Sequence, residues 1–252
     1  MTLAGALEVA ADGPVVLVTG DYDGTLAPIV ADPDLAYPDG RALAALVALG
    51  DLPDTYAAIL SGRDVAVLRR LTGSPAGVEL VGSHGAERAG LVPEVEETAR
   101  QDLALALARL EALVVEFPGS HLERKPAGVA FHYRNVEAAL HPAAESAARR
   151  VAECFPTLST LTGKRVVELT GSRVDKGDAL QALREQYEAG VVVFIGDDVT
   201  DENAFEILGV DDLGIKVGAG DTLATFRIED QSGVAGVLEF LLAHRSGRRE
   251  IT

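Results

Sequence analysis

The feature that most constrains the fold is a set of short apolar runs, each followed within a few positions by charged or hydroxyl side chains. The runs lie at residues 15–18, 56–60 and 191–195. Continuous apolar runs of this length are typical of strands that are buried on both faces, as in a parallel sheet. A helical pattern at 39–50 lies between the first two runs, and another at 64–73 lies between the second run and the next strand pattern. This alternation predicts an α/β fold built on an open parallel sheet.

The middle of the chain has a different pattern, which suits two helices packed on one face of an antiparallel sheet. We therefore predict an inserted lid, or cap, at 89–171 within a two-part core formed by 1–88 and 172–252. The predicted cap elements are helices at 94–115 and 136–155 and strands at 121–125, 129–134, 158–161 and 165–169. In the second part of the core we predict a helix from Asp175 to about 188 and a helix capped by Thr200.

The formal net charge of −17 argues against a nucleic-acid partner, because phosphate backbones bind basic surfaces. An acidic protein that binds an anionic substrate needs a metal ion or a few placed cations. No apolar run approaches the roughly 20 residues that span a bilayer, and no signal peptide is visible at the start. Cys154, the one cysteine, is expected to be a buried thiol. We expect a cytoplasmic monomer that acts on a small molecule.

Polar groups follow three of the predicted strands and open one helix. They are Asp21 with Asp23, Ser61 with Arg63, Asp197, and Lys176. In open α/β sheets, ligands bind at the carboxyl ends of the strands. These groups are therefore predicted to meet in one crevice, although they are far apart in the sequence.

Asp21, Asp23 and Asp197 are predicted to form a site for Mg²⁺, which prefers carboxylate oxygens. Such an ion offsets the repulsion between an anionic nucleophile and an anionic phosphate. Asp21 is predicted to attack phosphorus, and Asp23 to act as general acid and then as base. Gly24 lets backbone N–H groups face the phosphate. The alternative, a calcium loop, needs further ligands and a distal glutamate, whereas apolar residues follow here.

Lys176 lies in the first turn of a predicted helix, where the helix dipole disfavours a cation by a few tenths of a kcal/mol up to about 1 kcal/mol. A bound phosphate would reverse that effect, so Lys176 is predicted to bind phosphate rather than to be an exposed lysine. Ser61 is predicted to donate its hydroxyl to the same phosphate. Asp198 and Asp201 are predicted to support the metal site from outside it or to favour the helix N-terminus.

The predicted cap carries a polar cluster on its first hairpin. Residues two apart on a strand share a face, so Glu123 lies with Lys125 and His132 lies with Arg134. A two-residue loop at 127–128 would pair Glu123 with His132 and place all four on one face, whereas a three-residue loop would separate the pairs. Glu168 can join them from the second hairpin. The alternatives are a solvated sheet face and a surface for sugar hydroxyls.

These signatures together resemble the haloacid dehalogenase superfamily of phosphatases and, within it, the trehalose-6-phosphate phosphatases. The resemblance covers nearly the whole chain. The matching stretches are Asp-Tyr-Asp-Gly-Thr-Leu-Ala-Pro-Ile at 21–29, Ser-Gly-Arg at 61–63, Gly-Ser-His-Gly-Ala-Glu at 82–87, Glu-Arg-Lys at 123–125, His-Tyr-Arg at 132–134 and Gly-Asp-Asp-Val-Thr-Asp-Glu at 196–202.

The resemblance implies a Rossmann-like core with a C2-type cap, and Mg²⁺-dependent hydrolysis of trehalose 6-phosphate through an aspartyl-phosphate. It implies Asp21 as nucleophile and Asp23 as acid/base, with Asp21, the Asp23 backbone carbonyl and Asp197 as metal ligands. The implied phosphate-binding residues are Gly24, Thr25, Ser61, Gly62 and Lys176. The implied sugar contacts are Arg63, His84, Glu123, Lys125, His132, Arg134 and Glu168.

Three alternatives remain open at this point. The substrate can be another sugar phosphate, such as a sucrose, mannosyl or glucosylglycerate phosphate. A phosphomutase would use the same aspartyl-phosphate and return the phosphate to the substrate. A sugar-phosphate sensor would bind without turnover, although a sensor has no need of the pair Asp21 and Asp23.

Overall fold

The computed structural model describes residues 1–88, 95–163 and 165–247. In chain order, the strands are β1 (Val16–Gly20), β2 (Thr55–Leu60), β3 (Val78–Val81), β4 (His121–Lys125), β5 (Gly128–His132), β6 (Ser159–Gly163), β7 (Val166–Thr170), β8 (Val191–Gly196), β9 (Leu213–Val217) and β10 (Phe226–Ile228). The α-helices are α1 (Leu3–Ala11), α2 (Gly40–Gly50), α3 (Val65–Thr72), α4 (Glu97–Glu116), α5 (His141–Glu153), α6 (Lys176–Gln186), α7 (Glu202–Glu206) and α8 (Val234–Gly247).

The chain divides into two compact units. One is formed by Met1–Ala89 and Asp175–Thr252, and we call it the core; the other, Gly90–Val174, we call the cap. The assignment of 1–88 and 172–252 to a catalytic core and of 89–171 to a lid stays a prediction about the roles of these segments.

The core is built on six parallel strands in the order β10-β9-β8-β1-β2-β3. Apolar side chains of α1, α2, α3 and α8 pack on one face of this sheet, and those of α6 and α7 pack on the other. Every residue of β1 and of β8 is buried as a result. The predicted parallel α/β core is therefore confirmed, and the continuous apolar runs reflect burial on both faces.

The first helix, α1, was not predicted. Its sequence is rich in alanine, and its polar and apolar residues do not separate clearly enough to mark a helix face. Thr2 caps it by accepting a hydrogen bond from the backbone of Gly5. Its buried side chains join the same apolar cluster as those of α8, so tertiary packing accounts for this helix better than local pattern does.

The cap contains four antiparallel strands in the order β4-β5-β7-β6. The helices α4 and α5 pack on one face of this sheet around Val129, Phe131, Val167 and Leu169. Helices on one face of an antiparallel sheet are what the sequence predicts. The start of the first predicted helix, at residue 94, lies outside the described residues, and α4 begins at Glu97. The second predicted helix begins later than expected, with a 3-10 turn before α5.

Both hairpin turns of the cap differ from the prediction. Lys125 pairs with Gly128, so the first loop is residues 126–127 rather than 127–128. His132 consequently pairs with His121, and Glu123 pairs with Ala130. This shift of two positions leaves every side chain on its predicted face, because side chains alternate with period two. The second turn was predicted at 162–163, but Gly163 pairs with Val166, so both of those residues belong to β6.

Two local predictions in the chain are wrong. Thr200 does not cap a helix, because a 3-10 turn, Val199–Asp201, precedes α7, which begins at Glu202. Cys154 is exposed at the end of α5 rather than buried. Within residues 1–88, 95–163 and 165–247, none of the helices combines the length and the apolar character that a bilayer crossing requires.

Candidate active site

Asp21 lies directly after β1, at the carboxyl end of the central strands of the core sheet. Its backbone N–H donates to Ile195 of the neighbouring strand β8 over 2.9 Å, which fixes the direction in which the side chain leaves the sheet. The carboxyl group is buried. Burial raises the pKa of Asp21 well above its ordinary value, although the nearby Lys176 charge acts in the opposite direction. A buried carboxylate at a strand end is therefore held rigidly in place.

Lys176 enters the same site from the first turn of α6, which Asp175 caps as predicted. Its Nζ donates to Asp21 Oδ1 and to Asp201 Oδ1, each over 2.6 Å. Only 2% of its side chain is exposed, so Lys176 is not an exposed surface lysine. Burial would lower the pKa of Lys176, but the two carboxylates outweigh it and raise the pKa above its ordinary value. The lysine therefore carries its charge at neutral pH.

Asp201 shapes the loop that follows β8. Its Oδ2 accepts the backbone N–H groups of Asp197 and Asp198, each over 2.8 Å, while its Oδ1 accepts from Lys176. Gly196 is required here, since a Cβ at this position would lie 2.5 Å from Asp201 Cγ. Both oxygens of Asp201 are thus used to orient the loop and the lysine.

Three carboxylates of the core come together in one cluster. Asp21, Asp197 and Asp201 each place one oxygen within 4.8 Å of the others, and no second group of this kind is found in the described parts of the chain. Gly24 makes room for this cluster with a φ of +88°, because a Cβ at Gly24 would lie 2.1 Å from Asp197 Oδ2. The donor set is all oxygen and carries more than one negative charge, so it fits a hard divalent cation.

The Asp23 side chain is not part of that cluster. Its carboxylate instead pairs with Arg63, with Nε–Oδ2 and Nη2–Oδ1 distances of 2.5 and 2.6 Å. Arg63 also donates to the carbonyl of Pro33, and its guanidinium lies 5.5 Å from the centre of the Tyr22 ring. The predicted convergence of the side chains of Asp21, Asp23 and Asp197 is therefore met by Asp21 and Asp197, with Asp201 in the third place. Asp23 was predicted to bind metal through its backbone carbonyl, which this pairing leaves untouched.

Ser61, Gly62 and Arg63 form a turn that a second turn, at 82–87, holds in place. The backbone N–H of His84 donates to the Ser61 carbonyl over 2.8 Å, and that of Ser83 donates to the Arg63 carbonyl over 2.9 Å. The His84 ring packs on Gly62, where a Cβ would lie 2.5 Å from its Cε1. His84, which was predicted to contact the sugar, is therefore placed as a support for the Ser61 turn.

The helix after this turn has an unexpected cap. Asp64 opens the helical pattern predicted at 64–73, but its side chain makes no capping hydrogen bond and accepts instead from Ser83. Glu87 supplies the cap by accepting the backbone N–H of Val65 over 3.0 Å. The 82–87 motif thus holds both the Ser61 turn and the start of α3, a role that spacing in the sequence does not reveal.

Two of the predicted phosphate-binding hydroxyls are buried. Ser61 is almost fully buried, and its Oγ accepts the backbone N–H of Arg63 over 3.1 Å. Thr25 is fully buried, and its Oγ1 makes no hydrogen bond within the described residues. A buried hydroxyl without a protein partner carries a free-energy penalty unless something else bonds to it.

In the cap, the strand register places four members of the predicted polar cluster on one face of the sheet: Glu123, Lys125, His132 and Glu168. Lys125 forms a short ion pair with Glu168, and both side chains are almost buried. His132 Nε2 lies 2.8 Å from Glu123 Oε2, and these two side chains are 23% and 34% exposed. Arg134 comes two residues after the end of β5. These groups offer both donors and acceptors, as sugar hydroxyls require.

Comparisons with known proteins identify the family of this chain. The family model for trehalose-phosphatase matches residues 19–231, which is most of the chain and includes every group described above. This chain belongs to the trehalose-phosphatase family. The family predicted from the sequence is therefore confirmed.

Individual members of the trehalose-phosphatase family align over most of the chain. A trehalose-6-phosphate phosphatase of Escherichia coli is 30% identical over 91% of this chain and 88% of its own length. A bifunctional trehalose-6-phosphate synthase/phosphatase of Thermoproteus tenax is 36% identical over 88% of this chain. The matched region spans only 31% of that protein's length. A crystal structure of a trehalose-6-phosphate phosphatase related protein is 30% identical, with a TM-score of 0.73 over 93% of this chain and 99% of that chain.

Proposed function

We propose that this trehalose-phosphatase family member hydrolyses trehalose 6-phosphate to trehalose and phosphate, with Asp21 as the nucleophile. The observation that carries the proposal is the buried Asp21 carboxylate at the end of β1, bonded to Lys176 and clustered with Asp197. A sensor has no need to bury a carboxylate where it faces an anionic ligand, since such burial opposes the charged form.

The covalent step is a displacement at phosphorus. A carboxylate oxygen of Asp21 forms a bond to phosphorus as the bond to the sugar oxygen breaks, which gives an aspartyl-phosphate. Protonated Asp23 donates its proton to the leaving sugar oxygen and then, as a carboxylate, takes a proton from the attacking water. The water oxygen bonds to phosphorus as the bond between phosphorus and Asp21 breaks, which releases phosphate and restores the Asp21 carboxylate. The two hydrogen bonds from Arg63 hold Asp23 in the carboxylate form that acts as the base.

Lys176 and Ser61 are proposed to hold the transferred phosphoryl group. Lys176 is already charged and already bonded to the nucleophile, so it brings a cation to the point where negative charge accumulates. Thr25 lies buried four residues after Asp21, and a phosphate oxygen would supply a partner for its hydroxyl. Gly24 and Gly62 let the backbone approach the phosphate closely.

Mg²⁺ fits the acidic cluster, and we propose Asp21, Asp197 and the Asp23 backbone carbonyl as its protein ligands. Asp201 supports these ligands from behind, because both of its oxygens already accept hydrogen bonds. The ion would supply positive charge that offsets the repulsion between the nucleophile and the phosphate. If the reaction requires Mg²⁺, treatment of the protein with a chelator should cause a loss of activity.

The polar face of the cap is proposed to bind the hydroxyls of the disaccharide. Glu123, Lys125, His132 and Glu168 are already paired with one another on that face, so little side-chain freedom is lost when a sugar binds. Arg134 remains a candidate contact by its position in the motif. The monomeric state and the cytoplasmic location stay predictions.

The decisive experiment measures phosphate release from trehalose 6-phosphate, with Mg²⁺ and with a chelator, beside sucrose 6-phosphate and glucose 6-phosphate. We expect release from trehalose 6-phosphate that depends on Mg²⁺ and is stoichiometric with trehalose, which distinguishes a phosphatase from a phosphomutase. Asp21→Asn should lower the turnover number by a factor on the order of 10⁴ or more, while the variant still binds substrate.

Asp39→Asn is the matched control for that variant. Asp39 caps α2 by accepting two backbone N–H groups, and asparagine caps helices nearly as well as aspartate. Its activity should equal that of the wild type. Normal turnover by Asp21→Asn would exclude the covalent scheme, and a faster reaction with another sugar phosphate would replace the proposed substrate.

A further inference from the structure

The polar face of the cap sheet has two differently built ends. At one end Lys125 of β4 pairs with Glu168 of β7, although β5 lies between these strands. The pair must cross about two strand spacings, roughly 10 Å. It passes over Gly128 and Ala130 of β5, whose small side chains leave the way open. This end of the face is therefore fixed by a nearly buried ion pair.

The other end is fixed differently, through the His132 ring. His132 holds Glu123 by a hydrogen bond of 2.8 Å, but both side chains are partly exposed. Ala130, two residues earlier on the same face, offers only a methyl group to pack against the His132 ring. His121 supplies the missing contact, because it pairs directly with His132 across β4 and β5.

The two imidazole rings are stacked, with their centres 4.8 Å apart and their planes 7° from parallel. Partial desolvation of its inner side and the neighbouring His132 both lower the pKa of His121, with Glu123 acting against them. His121 is therefore neutral at pH 7, so its stacking on His132 is not opposed by repulsion between two cations. His121 itself is exposed, which leaves its outer side open.

We propose that His121 is a positioning residue for sugar recognition, since its ring holds His132, and through it Glu123, in the orientation that meets the substrate hydroxyls. This inference rests on the proposed function of the cap face. Nothing in the motifs that identify the family points to His121, which lies just outside them. The chemistry expected at this end is a carboxylate and an imidazole that share the hydroxyls of one hexose ring.

The test compares His121→Ala with His121→Phe in the full-length protein. Phenylalanine keeps a flat ring that can stack on His132, whereas alanine removes it. We expect His121→Ala to raise KM for trehalose 6-phosphate by about 2- to 10-fold, which corresponds to the interaction energy that is typically lost with one stacked ring pair. The turnover number should stay within about twofold of the wild type, and His121→Phe should restore KM.

Two controls separate positioning from general damage. Inhibition by inorganic phosphate, measured with the same substrate, reports the phosphate site alone, and its constant should not change in His121→Ala. His244→Ala removes another imidazole that is stacked on an aromatic ring, Phe240, on α8 in the core. That variant should keep the wild-type KM.

The outcomes distinguish the inference from the function on which it rests. An unchanged KM in His121→Ala, or an equal rise in the phosphate inhibition constant, would overturn the inference while wild-type turnover still supported the function. Failure of His121→Phe to restore KM would also overturn it, because ring stacking would then not be the cause. A wild-type protein without turnover of trehalose 6-phosphate would overturn both.

Discussion

The core and the cap each contain a nearly buried lysine that is paired with carboxylates, but the two clusters are assembled in different ways. Lys176 joins Asp21, which is 155 positions away in the chain, and Asp201. Lys125 joins Glu168 within a single antiparallel sheet, 43 positions away. The first cluster depends on where parallel strands end, and the second depends on how two hairpins are registered.

This difference predicts how each cluster responds to amino-acid substitution. In the core, one ammonium group bonds to two carboxylates that are almost fully buried, so its removal would leave both carboxylates without that cation. In the cap, the Lys125 ammonium group pairs with the Glu168 carboxylate, and the neighbouring His132 and Glu123 side chains are partly exposed. We expect variants of the core cluster to affect folding and phosphate binding together, and those of the cap to affect sugar binding with smaller effects on folding.

The largest effect on stability is expected for Lys176→Met. Methionine has a similar length but leaves Asp21 and Asp201 buried without a cation. Breaking a buried ion pair from one side typically destabilises a protein by about 3–5 kcal/mol. Chemical denaturation should show this loss, and the inhibition constant for inorganic phosphate should rise.

A double variant provides the control for that prediction. Asp201→Asn combined with Lys176→Met removes one of the two unpaired charges, so it should recover part of the lost stability. A free energy of unfolding that is unchanged in Lys176→Met would mean that the lysine is not the ion that holds this cluster together.

The strand-end rule let the sequence predict most of the core site. Asp21, Ser61, Asp197 and Lys176 each follow a buried strand or open a helix, and parallel strands end at one edge of a sheet whatever their exact register. The rule does not say which side chains pair once they meet there. The pairing of Asp23 with Arg63, and the packing of His84 on Gly62, depend on loop geometry that spacing alone does not encode.

The cap was less predictable, because a hairpin's turn decides which residues face each other. The sequence left open whether Glu123 and His132 share a face, and the Pro126–Ala127 loop resolves the question in favour of a shared face. Only the correct register of the β4–β5 hairpin places His121 opposite His132, so the role proposed for His121 could not be predicted without it. Gly128 and Ala130 gave a further unused signal, since small residues in mid-strand often accommodate a close approach from elsewhere.

A smaller effect is expected for Lys125→Met, and it should sharpen the contrast between the two clusters. The change removes the Lys125 cation from the nearly buried Glu168 carboxylate, and loss of such a charged hydrogen bond typically costs about 1–3 kcal/mol. KM for trehalose 6-phosphate should rise, while the inhibition constant for inorganic phosphate should not change. Isothermal denaturation and steady-state kinetics on the same protein samples measure both quantities.

Lys216→Met serves as the matched control for Lys125→Met. Lys216 is also nearly buried, but it lies on β9 in the core and makes only long contacts of 3.4 Å to Asp198 and Glu202. The Lys216→Met variant should leave KM for trehalose 6-phosphate unchanged, because Lys216 does not lie on the sugar-binding face of the cap. A rise in the phosphate inhibition constant in Lys125→Met would contradict the separation of roles between core and cap.

The smallest effect on stability is expected for Glu123→Gln. The pH dependence of this effect shows which protonation state of Glu123 stabilises the folded protein. Burial would raise the pKa of Glu123, but the hydrogen bond with His132 and the Lys125 charge outweigh it and lower the pKa below 4.5. A carboxyl group whose pKa is lowered by folding stabilises the folded state above its unfolded pKa, and that contribution is lost as the pH falls through the folded pKa. Because both partners are partly exposed, the contribution at pH 7 should be about 0–1 kcal/mol.

The difference in unfolding free energy between the wild type and Glu123→Gln should therefore shrink as the pH falls below the ordinary pKa of glutamate. Urea titrations at several pH values measure this difference directly. KM for trehalose 6-phosphate should rise more in this variant than its small stability change would suggest, because a charge-assisted acceptor for a sugar hydroxyl is lost. A stability difference that grew as the pH fell below the ordinary pKa of glutamate would mean that folding does not favour the charged form of Glu123.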